Sequence, residues 1–523
     1  MAKRTINISS ILGGIAPSLY LGGANQFLDS VSVDPDLPVD DSGISAIRTS
    51  GVLVPTRYGD FSSTNLTAAP LWITTNPKDT NTYVYAANGR MVSYSSALTS
   101  GSEALAFTAA TSTGNGAAYY NNYLYYGSNT DVGRYGPLDG SPAKDDDAWT
   151  TSTLGTQTAL TDTTYPSFNS IEMPNHPMFK HVDNRLYFGD VIGTGDDQGK
   201  GTIHMIRTKK GSNEGDTNNG STAEVLKLPF GFKPTCIGSY GTDLVIGAIQ
   251  TTDSTINQGN AALFFWDTFS TNYYRQVTLP DPFVTALLNN NGVLYTWSGN
   301  NVDGVRISSY IGGDSIKQIG YLEEGFPPFA GAVDAVGNRI SWGANKTNPS
   351  TAACVYSIGS KTNLPEGMNN IAITSSAGDN PATYSLSYVE QTDNKSPRMI
   401  IGWKDDDNLG VDKVSTTETF KAVWRSRLYN VGKRFVVRQL RLPLGAAVAA
   451  NMTLTPKVYV DDASASTTLT VINDTNYASS ERFVRLIPNV TGNNNFFVEL
   501  AWTGTASLPV TLPISVDIEE LDP

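Results

Sequence analysis

The sequence predicts an all-β protein: a β-propeller of about seven blades, within a range of six to eight, with a C-terminal β-sandwich and an extended N-terminal arm. Three observations carry this. Helical periodicity is missing, since no long segment places apolar residues at i, i+3, i+4 and i+7 between caps. A turn-then-strand element recurs through the middle of the chain. The last part of the chain instead alternates apolar and polar residues with a period of two.

The recurring element is a polar turn followed by an apolar-aromatic strand that often ends in glycine. It starts at Asn81 (NTYVYAANGRMVSY), Asn121 (NNYLYYGSN), Asn184 (NRLYFGD), Thr242 (TDLVIGA), Gly292 (GVLYTWSG), Asn338 (NRISWGA) and Arg398 (RMIIGWK). Successive starts lie 40, 63, 58, 50, 46 and 60 residues apart. Short strands flank most copies, so each unit holds three or four antiparallel strands, the signature of propeller blades. A lone four-stranded sheet cannot bury its faces. A ring of such sheets buries both and leaves only short edges. The propeller is expected over residues 61–412.

In the C-terminal part, residues 413–523, LPVTLPISVDIEELD sets Leu508, Val510, Leu512, Ile514, Val516 and Ile518 on one face. NFFVELAW does the same with Phe496, Val498, Leu500 and Trp502, and RQLRLPL with Leu440, Leu442 and Leu444. Such half-buried strands joined by polar turns form a sandwich. Its boundary is expected in a solvated acidic linker, Lys404 to Lys413. Residues 1–60 hold too few apolar side chains for a core of their own, and SVDPDLPVDDSG is acidic and proline-bearing. They are expected to be an arm packed on the sandwich, a blade or a neighbouring subunit. Removing residues 1–40 should weaken assembly without unfolding the propeller.

Composition narrows the function classes. Lys plus Arg is 36 and Asp plus Glu 49, a net charge of −13, which disfavours tight nucleic-acid binding because phosphate neutralisation needs basic surface. Charged residues are only 16% of the chain, while 40% is hydrophobic and 10% aromatic, so the chain is a folded one with many polar turns. Two cysteines, Cys236 and Cys354, exclude a disulfide-stapled scaffold and read as buried thiols. No apolar run is long enough to span a membrane, and polar residues and Pro17 interrupt any signal-like stretch, so synthesis in the cytoplasm without secretion is expected.

No catalytic, cofactor-binding or metal-binding residues are expected. The three histidines, His176, His181 and His204, fall in one predicted blade, but the odd gap from His176 to His181 sends strand side chains to opposite faces. Acidic runs occur at Asp145–Asp147, at Asp196 and Asp197, and at Asp405–Asp407. Of these, DDDNLGVD matches a calcium loop only in part, through Asp405, Asp407, Gly410 and Asp412. Glycine-rich GTGDDQGKG lacks the strand-turn-helix setting of a phosphate loop.

The opening region resembles the tail nozzle or tail tubular proteins of short-tailed bacteriophages. The matching positions are Gly13, Gly14, Ile15 and Pro17, then Gln26, then Gly43, Ile44, Arg48 and Gly51, about 60 residues in all. The resemblance implies a non-enzymatic structural protein of the virion tail, assembled in the host cytoplasm. It implies a homo-oligomeric ring around the DNA channel, other tail or adaptor proteins as partners, and passive passage of DNA during ejection. Such a ring would present an acidic or neutral interior, with Arg438, Arg441, Arg482 and Arg485 at subunit contacts or outside. A receptor-binding or fibre-type tail protein that recognises host glycans is the first alternative. A cellular propeller enzyme or lectin is the second. Ring formation and glycan affinity discriminate among the three.

Overall fold

Each copy of the recurring element is the second strand of a four-stranded antiparallel sheet in the computed structural model. The structure describes residues 2–10, 13–16, 26–34, 52–62, 64–77, 81–95, 98, 103–109, 116–128, 130–161, 176–208, 219–251, 259–300, 304–313, 315–322, 327–346, 352–359, 367–376, 381–390, 397–406, 408–461 and 466–521. There is no helix among them.

The seven second strands are Thr82–Ala86, Tyr123–Ser128, Leu186–Val191, Asp243–Thr251, Val293–Asn300, Arg339–Lys346 and Arg398–Asp405. Each sits between the first and third strands of its own sheet and is covered on both faces by neighbouring blades. That double burial is why these strands read as unbroken apolar runs: every residue of Leu186–Val191 and of Tyr123–Ser128 is buried. The terminal glycines mark the spots where the next blade crosses. A Cβ at Gly189 would lie 2.7 Å from Pro234, one at Gly343 2.5 Å from Thr383, and one at Gly402 2.8 Å from Pro70. The last of these joins blade seven to blade one, so the sheets form a closed ring. Its inner strands are Pro70–Thr75, Ala117–Tyr120, Met178–Lys180, Phe232–Tyr240, Phe283–Asn290, Val333–Val336 and Pro381–Val389.

The outermost strand of blade seven comes from the other end of the chain. Tyr58–Asp60 pairs with Asn408–Val414, with Asp60 opposite Asp412, Gly59 opposite Lys413 and Tyr58 opposite Val414. Residues 404–413 are therefore not a linker. They carry the end of strand Arg398–Asp405, a turn through Asp406 at φ 49°, and strand Asn408–Val414. The cause is alternation that the acidic residues mask: Leu409 and Val411 share a face and pack into the cluster that holds Phe61, Val84 and Val92.

Two further sheets form the sandwich. One runs Ala2–Ile8, Ile514–Glu520, Phe435–Pro443, Phe483–Leu486, and Val490–Gly492 also pairs with Phe435–Pro443. The other runs Phe27–Val31, Ala422–Ser426, Asn495–Trp502, Leu454–Val460, Thr467–Thr468. The alternating residues meet in one core: Leu440, Leu442, Phe496, Val498, Leu500, Ile514 and Val516 are fully buried in it. Ile6, Ile8, Phe27, Val33 and Leu53 belong to the same core. The N-terminal segment thus supplies an edge strand to each sandwich sheet and the closing strand of the propeller, and it does not stand as an arm apart from them. Its apolar residues are too few for a core of their own and complete two cores built elsewhere.

Candidate functional site: the seam between propeller and sandwich

Three N-terminal contacts bind the sandwich to blades six and seven. Gly14, at φ 68°, crosses the backbone of Gly367 and Met368. A Cβ on Gly14 would lie 2.5 Å from the Met368 nitrogen, and one on Gly367 would lie 2.2 Å from Gly13. Ile15 N then donates to Met368 O at 2.9 Å. Gly14 of the opening motif is thus required by a backbone crossing.

The second contact is polar. Ser32 N donates to Asn370 Oδ1 at 2.9 Å, Thr56 Oγ1 to Ile371 O at 2.7 Å, and the two hydroxyls lie 2.7 Å apart. Beside them Arg339 grips Asp34 through two nitrogens, at 2.8 and 2.5 Å, with both side chains buried. Such a fork gives direction as well as energy.

The third contact is Arg57. Its guanidinium donates to the carbonyls of Ser415 (2.8 Å), Glu418 (2.8 Å) and Thr416 (2.6 Å), and also to that of Thr505 in the sandwich. It lies 4.7 Å over the Phe420 ring. One side chain therefore organises the link from propeller to sandwich.

Behind this link lies Asp412. Its carboxylate accepts from Trp403 Nε1 (2.7 Å), Ser375 N (2.6 Å) and Ser375 Oγ (2.8 Å). Burial pushes it up to about 7 in spite of those bonds, and the Asp60 carboxyl adds to the rise. Asp60 is raised as well, by burial first, against hydrogen bonds from Ser62 and Val411 N. An open pocket of 410 Å³ adjoins, lined by Asp60, Arg398, Lys413, Ser415, Thr417 and Glu418 among others. Desolvation and the nearby Arg398 lower Lys413. The pocket offers donors and acceptors for a hydroxylated or charged ligand.

The histidines fall apart into two groups. His176 Nδ1 and His204 Nε2 flank the buried Asp190 at 3.8 and 3.7 Å, with His204 packed against Trp149 and Phe188. His204 Nδ1 accepts from Glu224 N at 3.2 Å, so its proton sits on Nε2. His176 Nδ1 lies 3.3 Å from Gly189 O and carries a proton in the same way. Both nitrogens stand beyond hydrogen-bond distance of the Asp190 carboxylate. His181 is separate and pairs within its own turn with Asp183 at 3.1 Å.

Two members of the acidic runs pair with neighbouring side chains. Asp146 takes Tyr126 Oη at 2.7 Å and Lys144 at 2.5 Å, and Asp197 takes Lys200 and Lys227 at 2.6 and 2.7 Å. Of the partial calcium match, Asp405 and Asp412 lie on two different strands, and Asp407 falls outside the described residues. Among the described residues no group of three His, Cys, Asp or Glu has metal-holding geometry. Cys236 and Cys354 are buried free thiols, and burial pushes Cys236 up to about 12. Of the positions that carry the phage-tail resemblance, Gly13, Gly14, Ile15 and Gln26 are described; Pro17, Gly43, Ile44, Arg48 and Gly51 lie outside the described residues.

The sequence reading missed Asp34, Arg57, Arg339 and Trp403, and it named Asp412 only as part of the partial calcium match. The one available signal was a carboxylate or guanidinium set among apolar strand residues, as in SVSVD and VGNRISWG.

No protein-family model matches the chain, and no curated protein matches it in sequence. Solved structures similar to it include the Neurospora crassa Pan2 WD40 domain (10% identity, TM-score 0.40, 69% of this chain and 94% of that one). Others are the WD40 β-propeller domain of Doa1 (12%, 0.39, 69% and 97%) and U3-55K (11%, 0.41, 68% and 98%). The likeness is one of fold alone. Among the described residues no helix is long and apolar enough to cross a membrane.

Proposed function

We propose that the chain is a non-enzymatic structural component of a bacteriophage tail, of the nozzle or tail-tube type, assembled as a homo-oligomeric ring around the DNA channel in the virion. The observation that carries this reading is the use of the opening motif. Gly13, Gly14 and Ile15, the described part of the phage-tail resemblance, seat the N-terminal segment on blade six and so hold the sandwich against the propeller. A segment that ties two units into one body suits a part that must transmit load between neighbours. Two surface features fit the same reading. The seven inner strands carry only three charged residues, Lys180, Lys233 and Asp334. Arg438, Arg441, Arg482 and Arg485 all lie on one sandwich sheet, away from those strands. Negative-stain electron microscopy of the purified full-length protein tests the reading: rings with a central hole are expected, and a monodisperse monomer at every concentration would refute it.

The alternative, a receptor-binding tail protein, rests on the 410 Å³ pocket beside Arg398 and Lys413. Saturation-transfer NMR with host surface oligosaccharides separates the two readings.

A further inference from the structure

Charge is unevenly divided along the chain. Residues 61–412 hold 21 Lys and Arg against 33 Asp and Glu, a net −12, whereas residues 413–523 hold 11 against 10. Within that C-terminal part, four arginines gather on one sheet. Arg438 and Arg441 would face opposite ways under strict alternation, but a register shift between Val437 and Gln439 turns both outward. Each then meets a carboxylate of Ile514–Glu520: Arg438 reaches Glu519 at 2.7 Å, and Arg441 reaches Asp517.

Arg482 and Arg485 differ. Both are exposed, and neither has a carboxylate partner among the described residues. Arg482 immediately precedes and Arg485 lies within Phe483–Leu486, the edge strand of that sheet, whose free side pairs with no described strand. Val484 and Leu486 point into the sandwich core, while Phe483 is 41% and Ile487 68% exposed. Arg485 lies 5.6 Å over the Phe483 ring. A short edge strand thus joins open backbone groups, two exposed apolar side chains and two unpaired cations. The cations guard the edge against pairing with a like strand. They leave it suited to an acidic surface.

We infer that this edge, Arg482 to Ile487, docks head to tail on the acidic propeller of a second copy of the chain. The inference rests on the ring reading above and names the contact that would build it. Charge complementarity selects the occupant, because the propeller of residues 61–412 is the acidic surface that every neighbouring copy brings. The chain's own propeller is engaged elsewhere: the sandwich meets it through the other sheet, with Val31 and Val423 packed on Ile373. A contact between two different surfaces of identical chains is heterologous, and repetition closes it into a ring when the rotation permits.

The test uses the full-length protein in native mass spectrometry over a range of salt. Association should weaken as salt rises and should fall about tenfold or more in R482E/R485E, with R482K/R485K retaining it. In R482K/R485K a zero-length carbodiimide should join positions 482 and 485 to Asp or Glu of residues 61–412. Mixing labelled with unlabelled copies should show those links to be intermolecular. Rings that persist unchanged in R482E/R485E, or cross-links confined to the sandwich, would overturn the contact and leave the ring reading standing. Pairs with the expected cross-links that never close into rings would do the reverse.

Discussion

Asp412 and Asp60 stand opposite each other on the last strand pair of the propeller, and Asp60 Oδ1 accepts from Val411 N, 351 positions further along the chain, at 3.0 Å. The strand that closes the ring therefore places a second carboxyl beside a buried one. Burial pushes Asp412, although held by Trp403 and Ser375, up to about 7.

The pH dependence follows from that value. A carboxyl raised in the folded state favours folding when protonated, so its contribution is complete below about pH 4, the unfolded value, and fades as pH rises toward 7. A shift of this size corresponds to at most about 4 kcal/mol. D412N should flatten the dependence of thermal stability between pH 4 and 7. Calorimetry across that range checks it, and an unchanged slope would remove Asp412 as its source.

Breaking the Asp34–Arg339 pair should destabilise strongly. D34A leaves a buried guanidinium uncompensated, which costs roughly 3–5 kcal/mol, whereas D34A combined with R339M should recover much of the loss. Urea titrations of the two variants decide.

G14A forces a side chain into the Gly367–Met368 backbone at a left-handed φ, for a cost of roughly 1–3 kcal/mol. The expected readout is release of the N-terminal segment. Limited proteolysis should cut within residues 1–60 sooner than in the unaltered protein, while the blades survive.

Deletion of residues 1–40 removes Ile6, Ile8, Phe27, Val31 and Val33 from buried positions but keeps Tyr58–Asp60. The sandwich should therefore melt early and the propeller should remain. Deleting residues 1–60 should also open the ring and expose Asn408–Val414 to aggregation. Two resolved calorimetric transitions in the first variant, and loss of the later one in the second, are the expected pattern.

The assembled protein should have negligible affinity for duplex DNA in filter binding at low salt. Submicromolar binding that weakens steeply with added salt would indicate a basic channel wall and end the conduit argument.

The blades were legible because their second strands are buried on both faces. Burial of that kind demands continuous apolar residues, and the next blade's crossing demands a glycine at the strand's end. Both are local requirements, written into NRLYFGD and RMIIGWK alike. The sandwich strands were legible for the complementary reason: one wet face and one dry face write a period of two, as in Phe496, Val498, Leu500 and Trp502.

The pairings of the first 60 residues were not legible. Ladder hydrogen bonds use backbone groups that every residue but proline supplies, so nothing in Ala2–Ile8 names Ile514–Glu520 as its partner, and nothing in Tyr58–Asp60 names Asn408–Val414. The acidic run at Asp405 read as a linker because its charges hid the alternation of Leu409 and Val411. By itself the sequence determined the all-β class, the sevenfold repeat and the alternating C-terminal strands, each set by the local burial of neighbouring residues. Tertiary structure decided what closes the ring, what ties the sandwich to it and which carboxyls meet at the seam. Those contacts join residues hundreds of positions apart, and only the closed fold brings them within hydrogen-bonding distance.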